Sequence, residues 1–383
     1  MPTVNEIDFA RFPSPCFVCD LGLLRKNLGI LKHVQDESGA KVLLALKGFA
    51  MWSTFSIVKC YLSGVCASSP DEARLGDEHF SKEMHSFAPA YKPEQLDDYI
   101  KYSDHMSFNS FSQWQRHKDT IFASEKKVSC GIRINPEHSE VETAIYDPCA
   151  PGSRLGVRLE DFRGQDLTGI EGLHCHTLCE KNVDSLQRTW KVVEEKFGQY
   201  LPQMKWLNLG GGHHITRDDY GVDELIDLVK TIKAKYDIEV YLEPGEAVAL
   251  NTGILIAEVQ DIVHNAMDIA ILDTSASAHM PDVLEMPYRP MIIGSGLPGE
   301  KPHTYKLGGM TCLAGDVIGE YSFDQPLQVG QRLAFTDMIH YSMVKTTTFN
   351  GVHLPSIATY EPASDTVEII REFTYEDYRD RLS

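Results

Sequence analysis

Lys47 stands where an apolar run stops. The run is "VLLAL", residues 42–46, and Gly48 follows the lysine at once. A lysine held against apolar surface loses part of its preference for the charged form, and a neutral amine can attack a carbonyl carbon. The same residue would serve equally as one arm of a structural ion pair. Four other places carry comparable chemistry. Arg133 lies in "RINP", His174 and His176 frame "HCH", Gly210, Gly211 and Gly212 follow "NL", and Glu243 opens "EPGE". Three successive glycines let backbone N–H groups approach a phosphate, or simply turn the chain tightly. Glu243 suits a protonated ring nitrogen, or an ion pair with a neighbour such as Arg133.

These residues share one kind of address. Eight short apolar runs, at 42–47, 64–69, 85–90, 105–110, 129–136, 170–176, 205–212 and 239–245, are separated mostly by amphipathic stretches. In the segment 222–236, for example, Leu225, Ile226, Leu228, Val229 and Ile232 fall on one helical face. Strand and helix alternating eight times predict an α/β chain with a (β/α)₈ TIM barrel. Reactive groups of such barrels sit at the C-terminal strand ends, which is where Lys47, Arg133, His174, His176, the glycines and Glu243 fall. From about residue 255 the texture changes to strand-like pieces joined by Gly and Pro turns, which predicts a mainly β domain. The expected division is a barrel over 20–250 and a β domain made of 1–19 plus 251–383.

A net charge of −19 argues against nucleic acid or anionic membrane as a partner and is compatible with a cationic ligand. No run approaches the length of a membrane-spanning helix, and the first residues, "MPTVNEIDFARFPSP", do not read as a secretory signal. Nine scattered cysteines without a paired framework point to reduced thiols and a cytoplasmic location.

At one barrel mouth, a lysine, a glycine loop and a carboxylate make a site for pyridoxal 5′-phosphate. Lys47 would bond the aldehyde, the glycines would hold the phosphate, and Glu243 would keep the pyridine nitrogen protonated, which makes the ring an electron sink. The rival is a zinc hydrolase built on His174 and His176. Metal hydrolases of the barrel class carry that pair on the first strand rather than the sixth, and no third ligand has a convincing place.

The segments "ALKGFA", "RINP", "SRLGV", "GLHCHTLCE", "NLGGGHH", "LEPGEA", "CLAGD" and "TTTFNG" carry a further signal. Through them the chain, from "SPCFVCD" onward, resembles the fold-type III decarboxylases that depend on pyridoxal phosphate. That family includes diaminopimelate and ornithine decarboxylases and shares its architecture with alanine racemase. Within it, the chain is most similar to the carboxynorspermidine decarboxylases. The resemblance implies that Lys47 carries the cofactor, His176 stacks on its ring, Gly210 to Gly212 bind phosphate and Glu243 partners the ring nitrogen. It also implies that Tyr341 lies near the phosphate. Cys312 is implied to reach the site across a homodimer interface, where it takes part in protonating the product.

Three departures from the wider family bear on substrate. Glu246 stands where "EPGR" has arginine, Cys179 stands where serine is usual, and Leu313 follows Cys312 in place of an acid that grips the distal amine of ornithine or diaminopimelate. These changes disfavour those two substrates and are shared by the carboxynorspermidine enzymes. The expected reaction is decarboxylation of carboxynorspermidine to norspermidine, with carboxyspermidine as a second substrate, since one methylene discriminates weakly. A long cationic tail calls for spaced carboxylates, for which Glu246, Asp273, Asp282, Glu285 and Asp316 are the candidates.

Overall fold

The computed structural model describes residues 3–383. The chain divides into two compact units, one running from Asn27 to Val248 and the other combining the residues up to Lys26 with Ala249–Ser383.

The second of these is a sheet unit, and it opens with β1 (Cys16–Asp20), all five of whose residues are buried. The strand-like "SPCFVCD" therefore belongs with the C-terminal half. β1 pairs antiparallel with a long strand at Gly253–Asn265 and parallel with another at Ser356–Glu361. Val4, Phe12, Val18, Ile254, Ile256, Ala334 and Tyr360 pack together as the core of this unit.

The first unit is the barrel. Its strands are β2 (Lys41–Ala45), β3 (Gly64–Ala67), β4 (Glu83–Phe87), β5 (His105–Phe108) and β6 (Ser129–Asn135), then, after a two-residue β7 (Val157–Arg158) on the flank of β6, β8 (Ile170–His174), β9 (Trp206–Asn208) and β10 (Glu239–Leu242). The hydrogen-bonded order is β5-β4-β3-β2-β10-β9-β8-β6, and β5 pairs with β6 to close the ring. All eight expected runs form strands of this barrel, and all pair in parallel. The barrel interior is a packed core, as is general for this architecture. Trp206 fills so much of it that only glycine fits beside it. A Cβ on Gly172 would meet the indole at 2.0 Å, and one on Gly131 at 2.3 Å.

Local rules set the helices. Ser69 caps Pro70–His79 by accepting the N–H of Glu72, and Pro70 takes the first turn, where a missing N–H costs nothing. The helix Val222–Tyr236 buries Leu225, Ile226, Val229 and Ile232, each worth about 1.5–3 kcal/mol when fully buried. Leu228, expected on the same face, is only half-buried.

The later strands β11 (Gly253–Asn265), β12 (Met267–Leu272), β13 (His303–Gly308), β14 (Val317–Phe323), β15 (Arg332–Thr336), β16 (Ser356–Glu361) and β17 (Thr366–Arg371) build one sheet with β1, in the order β14-β13-β12-β11-β1-β16-β17, with β15 also on β11.

Candidate active site

The chemically active side chains of the barrel unit collect at the C-terminal ends of its strands. Lys47 lies two residues beyond β2, in a turn closed by the N–H groups of Gly48 and Phe49 on the carbonyl of Ala45. A Cβ on Gly48 would come within 2.9 Å of the Gly245 Cα, so glycine lets the turn after β2 lie against the turn after β10. This brings Lys47 to the neighbourhood of Glu243.

The lysine Nζ is 3.4 Å from Nε2 of His176. Nδ1 of that ring accepts the N–H of Gly211 at 3.0 Å. A neutral imidazole that accepts at Nδ1 carries its proton on Nε2, the nitrogen that faces the lysine. Lys47 opens to solvent at the mouth, yet protein encloses the rest of it, and that burial together with the Arg133 charge lowers its pKa. Burial, Lys47 and Arg133 push His176 well below its ordinary value. Arg133 itself is pushed down to about 10 by burial and remains a cation. It donates to the His176 carbonyl at 2.9 Å and lies 4.6 Å from the Phe87 ring centre.

Glu243 is held by partners other than Arg133, the neighbour suggested by sequence. Its Oε1 accepts from the Asn208 amide at 2.6 Å, and its Oε2 lies 3.4 Å from Nε2 of His174. Burial pushes this carboxyl up, but His174, His85 and Asn208 outweigh it and hold the group below the usual carboxylate range. An ionised carboxylate is thus fixed at the barrel mouth. Asn208 also accepts the Gly210 N–H at 2.8 Å, so one side chain ties the carboxylate to the glycine loop.

The glycine triplet is more constrained than a phosphate cradle alone requires. Gly210 and Gly212 have φ of +68° and +83°, and a Cβ at Gly211 would sit 2.1 Å from the Glu243 carbonyl oxygen. Two of its three N–H groups are already committed, to Asn208 and to His176. No helix follows the triplet directly. The next one begins at Val222, so no helix N-terminus adds its dipole here.

The His174/His176 pair does not assemble a zinc site. His174 turns toward Glu243 and His176 is occupied by Gly211 and Lys47, and neither joins a three-ligand cluster among the described residues.

Of the acids considered for the substrate tail, Glu246 belongs to the barrel unit, with Oε2 3.3 Å from His214 Nε2. The others belong to the sheet unit, and three of them are spent there. Asp316 is buried and accepts from Ser275, Ser277 and Thr311 through both oxygens. Asp282 and Glu285 both hold the Lys345 ammonium, Asp282 at 2.5 Å. A carboxylate that already has its complement of donors is a poor grip for a substrate amine. Asp273 accepts the Glu258 N–H at 2.8 Å and lines a cavity of about 460 Å³ with Glu258, Gln260 and Arg332. Cys312 is exposed, its N–H donated to Asn350, and Tyr341 opens a short helix, Tyr341–Val344.

Sequence reading passed over Asn208, Phe87 and Cys66. Asn208 had a signal, being the polar residue in the strand just before the glycines. Phe87 under Arg133 and Cys66, half-buried close to Lys47 and Glu243, had none that periodicity reveals.

With this geometry in place, the comparisons are specific. The family model described as "pyridoxal-dependent decarboxylase, C-terminal sheet domain" matches residues 16–339. A carboxyaminopropylagmatine decarboxylase of Synechocystis is 46% identical over 99% of this chain and 98% of its own length. A carboxynorspermidine/carboxyspermidine decarboxylase of Campylobacter jejuni is 44% identical over 97% of this chain and 98% of its own. The crystal structure of carboxynorspermidine decarboxylase from Campylobacter jejuni complexed with norspermidine superposes with a TM-score of 0.89 and 44% identity, covering 97% of this chain and 100% of that one.

Proposed function

Because this chain belongs to the pyridoxal-dependent decarboxylases, we propose that it removes the carboxyl group of carboxynorspermidine, and of carboxyspermidine, to give norspermidine and spermidine. The observation that carries the reading is the pairing at one barrel mouth of Lys47, whose pKa is lowered by burial and by the Arg133 charge, with an ionised carboxylate, Glu243, held by Asn208 and His174. That donor set fits pyridoxal 5′-phosphate. When bound, the cofactor supplies a protonated ring that takes up the electron pair left as CO₂ departs.

The chain's own residues divide the remaining work. Lys47 would hold the cofactor through Nζ, the amine placed to meet its aldehyde. The ring of His176, fixed by the Gly211 N–H, orients the Lys47 amine and would bound the cofactor site on that side. Glu243 holds a proton on the ring nitrogen, and Asn208 and His174 keep that carboxylate ionised. Arg133 fixes the loop that carries His176. The glycine loop, where Gly210 and Gly211 already spend their N–H groups on Asn208 and His176, would border the phosphate, with Tyr341 as a further contact. Cys312, supplied across the interface of a homodimer, or Lys47, returns a proton to Cα. Glu246 and Asp273 take the substrate's distal ammonium groups. All nine cysteines are free thiols, which supports a reducing, cytoplasmic setting, and no described helix is long and apolar enough to cross a membrane.

The 46% identical Synechocystis relative favours a second reading, in which the tail ends in a guanidinium and the substrate is carboxyaminopropylagmatine. Purified holoenzyme is offered carboxynorspermidine, carboxyspermidine, carboxyaminopropylagmatine, diaminopimelate and ornithine in parallel, and CO₂ and amine products are followed. The proposal expects carboxynorspermidine to turn over best. A preference for carboxyaminopropylagmatine would move the assignment to the second reading, and turnover of diaminopimelate alone would refute both.

A further inference from the structure

Cys312 stands on the turn that joins β13 to β14 in the sheet unit, and every residue from Cys312 to Gly315 is exposed. A turn with so little buried surface is ordinarily mobile. Here the backbone on both sides of the thiol is held by hydrogen bonds. Thr311 gives its N–H and its hydroxyl to Oδ2 of Asp316, at 3.2 and 2.6 Å. The Asp316 N–H closes the turn on the Leu313 carbonyl at 2.9 Å. Cys312 itself donates its N–H to Oδ1 of Asn350 at 2.7 Å. Three successive residues are thus fixed, and the Cys312 side chain keeps little freedom beyond rotation about its own Cα–Cβ bond.

Both anchors lead back to one short helix, Ala276–His279. Oδ1 of the buried Asp316 accepts the Ser277 N–H at 3.2 Å, and the Ser275 hydroxyl donates to both Asp316 oxygens at 3.0 and 2.8 Å. The same hydroxyl accepts the Ala278 N–H at 3.1 Å. The Ala278 carbonyl accepts the Thr347 N–H at 2.8 Å, which ties down the segment that carries Asn350. A circuit of bonds therefore runs from Asp316 through the helix and Asn350 to Cys312. Asn350 is its exposed link, and it has a φ of +58°, in the left-handed region that asparagine tolerates and most residues resist. Glycine would suit that backbone at least as well. What asparagine adds is the oxygen that Cys312 uses.

We propose that Asn350 is a positioning residue for the Cys312 thiol, holding it where it returns a proton to Cα of the substrate. The inference rests on the reading above, in which Cys312 crosses a homodimer interface and protonates Cα. In that step the electron pair left as CO₂ departs forms the new bond from Cα to hydrogen, the proton comes from Sγ–H, and the thiolate recovers a proton from water. A proton donor must be held within about 0.5 Å of its productive place, which an exposed turn does not achieve unaided. Asp316 fixes the residues flanking Cys312, and Asn350 fixes Cys312 itself.

The test is a double-mutant cycle on holoenzyme, with the carboxylated polyamine that turns over best as substrate. Asn350→Gly, which eases the backbone and removes the acceptor, should lower kcat at least tenfold and leave KM within about twofold. Asn350→Asp, which keeps an acceptor oxygen, should recover most of that loss. In a Cys312→Ala background, itself slower than the parent, Asn350→Gly should change kcat less than about twofold, because a residue that acts through the thiol has nothing left to place. Amide exchange in the peptide 309–316, read without substrate, should quicken at least tenfold in Asn350→Gly and stay near the parent in Asn350→Asp. Circular dichroism and sedimentation confirm that each variant is folded and dimeric, and if Asn350→Gly is not, Asn350→Ala takes its place in the cycle. Equal losses with and without Cys312, or parental kcat in Asn350→Gly, would overturn the proposal while leaving Cys312 its role. Parental kcat in Cys312→Ala would overturn that role and the proposal with it.

Discussion

Asn208 is the residue on which the mouth geometry depends most, and Asn208→Ala puts a number on it. The amide donates to Glu243 Oε1 at 2.6 Å and accepts the Gly210 N–H at 2.8 Å. A hydrogen bond to a charged group contributes about 1.5–3 kcal/mol, and leaving a buried amide N–H without an acceptor costs about 1–3 kcal/mol. Both bonds belong to one side chain and their losses are not additive, so the lower half of the combined range applies, about 2.5–4 kcal/mol. Losing the charged bond alone should raise the Glu243 pKa, since the Asn208 amide is one of the groups that hold it down. Urea unfolding at neutral pH measures the first quantity. A companion, Asn208→Asp, keeps the acceptor for Gly210 but sets a second carboxylate against Glu243, and two such carboxylates share one proton. Their raised folded pKa adds stability below the unfolded value, which is lost as pH rises through the folded one. The companion should therefore become less stable from pH 5 to 8, where the parent protein does not. A loss under about 0.5 kcal/mol in the alanine variant, or a flat pH profile in the aspartate variant, would refute the reasoning.

Gly211→Ala places a Cβ 2.1 Å from the Glu243 carbonyl oxygen, a backbone atom that cannot swing aside. Overpacking of this kind costs about 1–3 kcal/mol, and calorimetry should show a lowered melting temperature together with weaker cofactor retention. The hydrogen bonds from Arg188 bring Glu140 down to about 2. Its stabilising effect is present above the unfolded carboxyl pKa and is lost as pH falls through the folded one. The urea midpoint should accordingly fall less between pH 6 and pH 3 in Arg188→Ala than in the parent protein. Burial pushes the Cys16, Cys130 and Cys175 thiols up to about 12, whereas Cys60 and Cys312 are exposed. An aromatic disulfide reagent should label Cys60 in the native protein and leave those three silent until denaturant is added. Early labelling of Cys175 would contradict the burial of β8 and the loop after it.

The barrel was legible because its signal is repeated. Eight apolar runs, each ending near a polar or glycine residue, leave few other architectures, and all eight became strands. Their ends were less legible. "VLLALK" reads as one run, yet pairing stops at Ala45, since the chain turns to bring Gly48 against Gly245. Neither glycine announces that contact, because it joins residues about two hundred positions apart. The convergence of Lys47, His176, Arg133 and Glu243 followed from strand-end position alone. The partnerships inside the cluster did not. Glu243 seemed matched to Arg133 by charge, but the arginine is drawn to the His176 carbonyl and the Phe87 ring, and Asn208 and His174 take its place. Composition likewise cannot separate a free acid from a spent one. Asp282, Glu285 and Asp316 look like ligands for a cationic tail until Lys345 and the Ser275–Thr311 hydroxyls are seen holding them.

The account turns on Lys47 as the residue that carries the cofactor, and borohydride reduction tests it directly. Reduction of holoenzyme reconstituted with pyridoxal 5′-phosphate, followed by proteolysis and mass spectrometry, should place one phosphopyridoxyl group per chain on the peptide containing Lys47. Lys47→Ala should carry none and should not release CO₂ from carboxynorspermidine. A label on another lysine, or turnover that survives Lys47→Ala, would contradict the account.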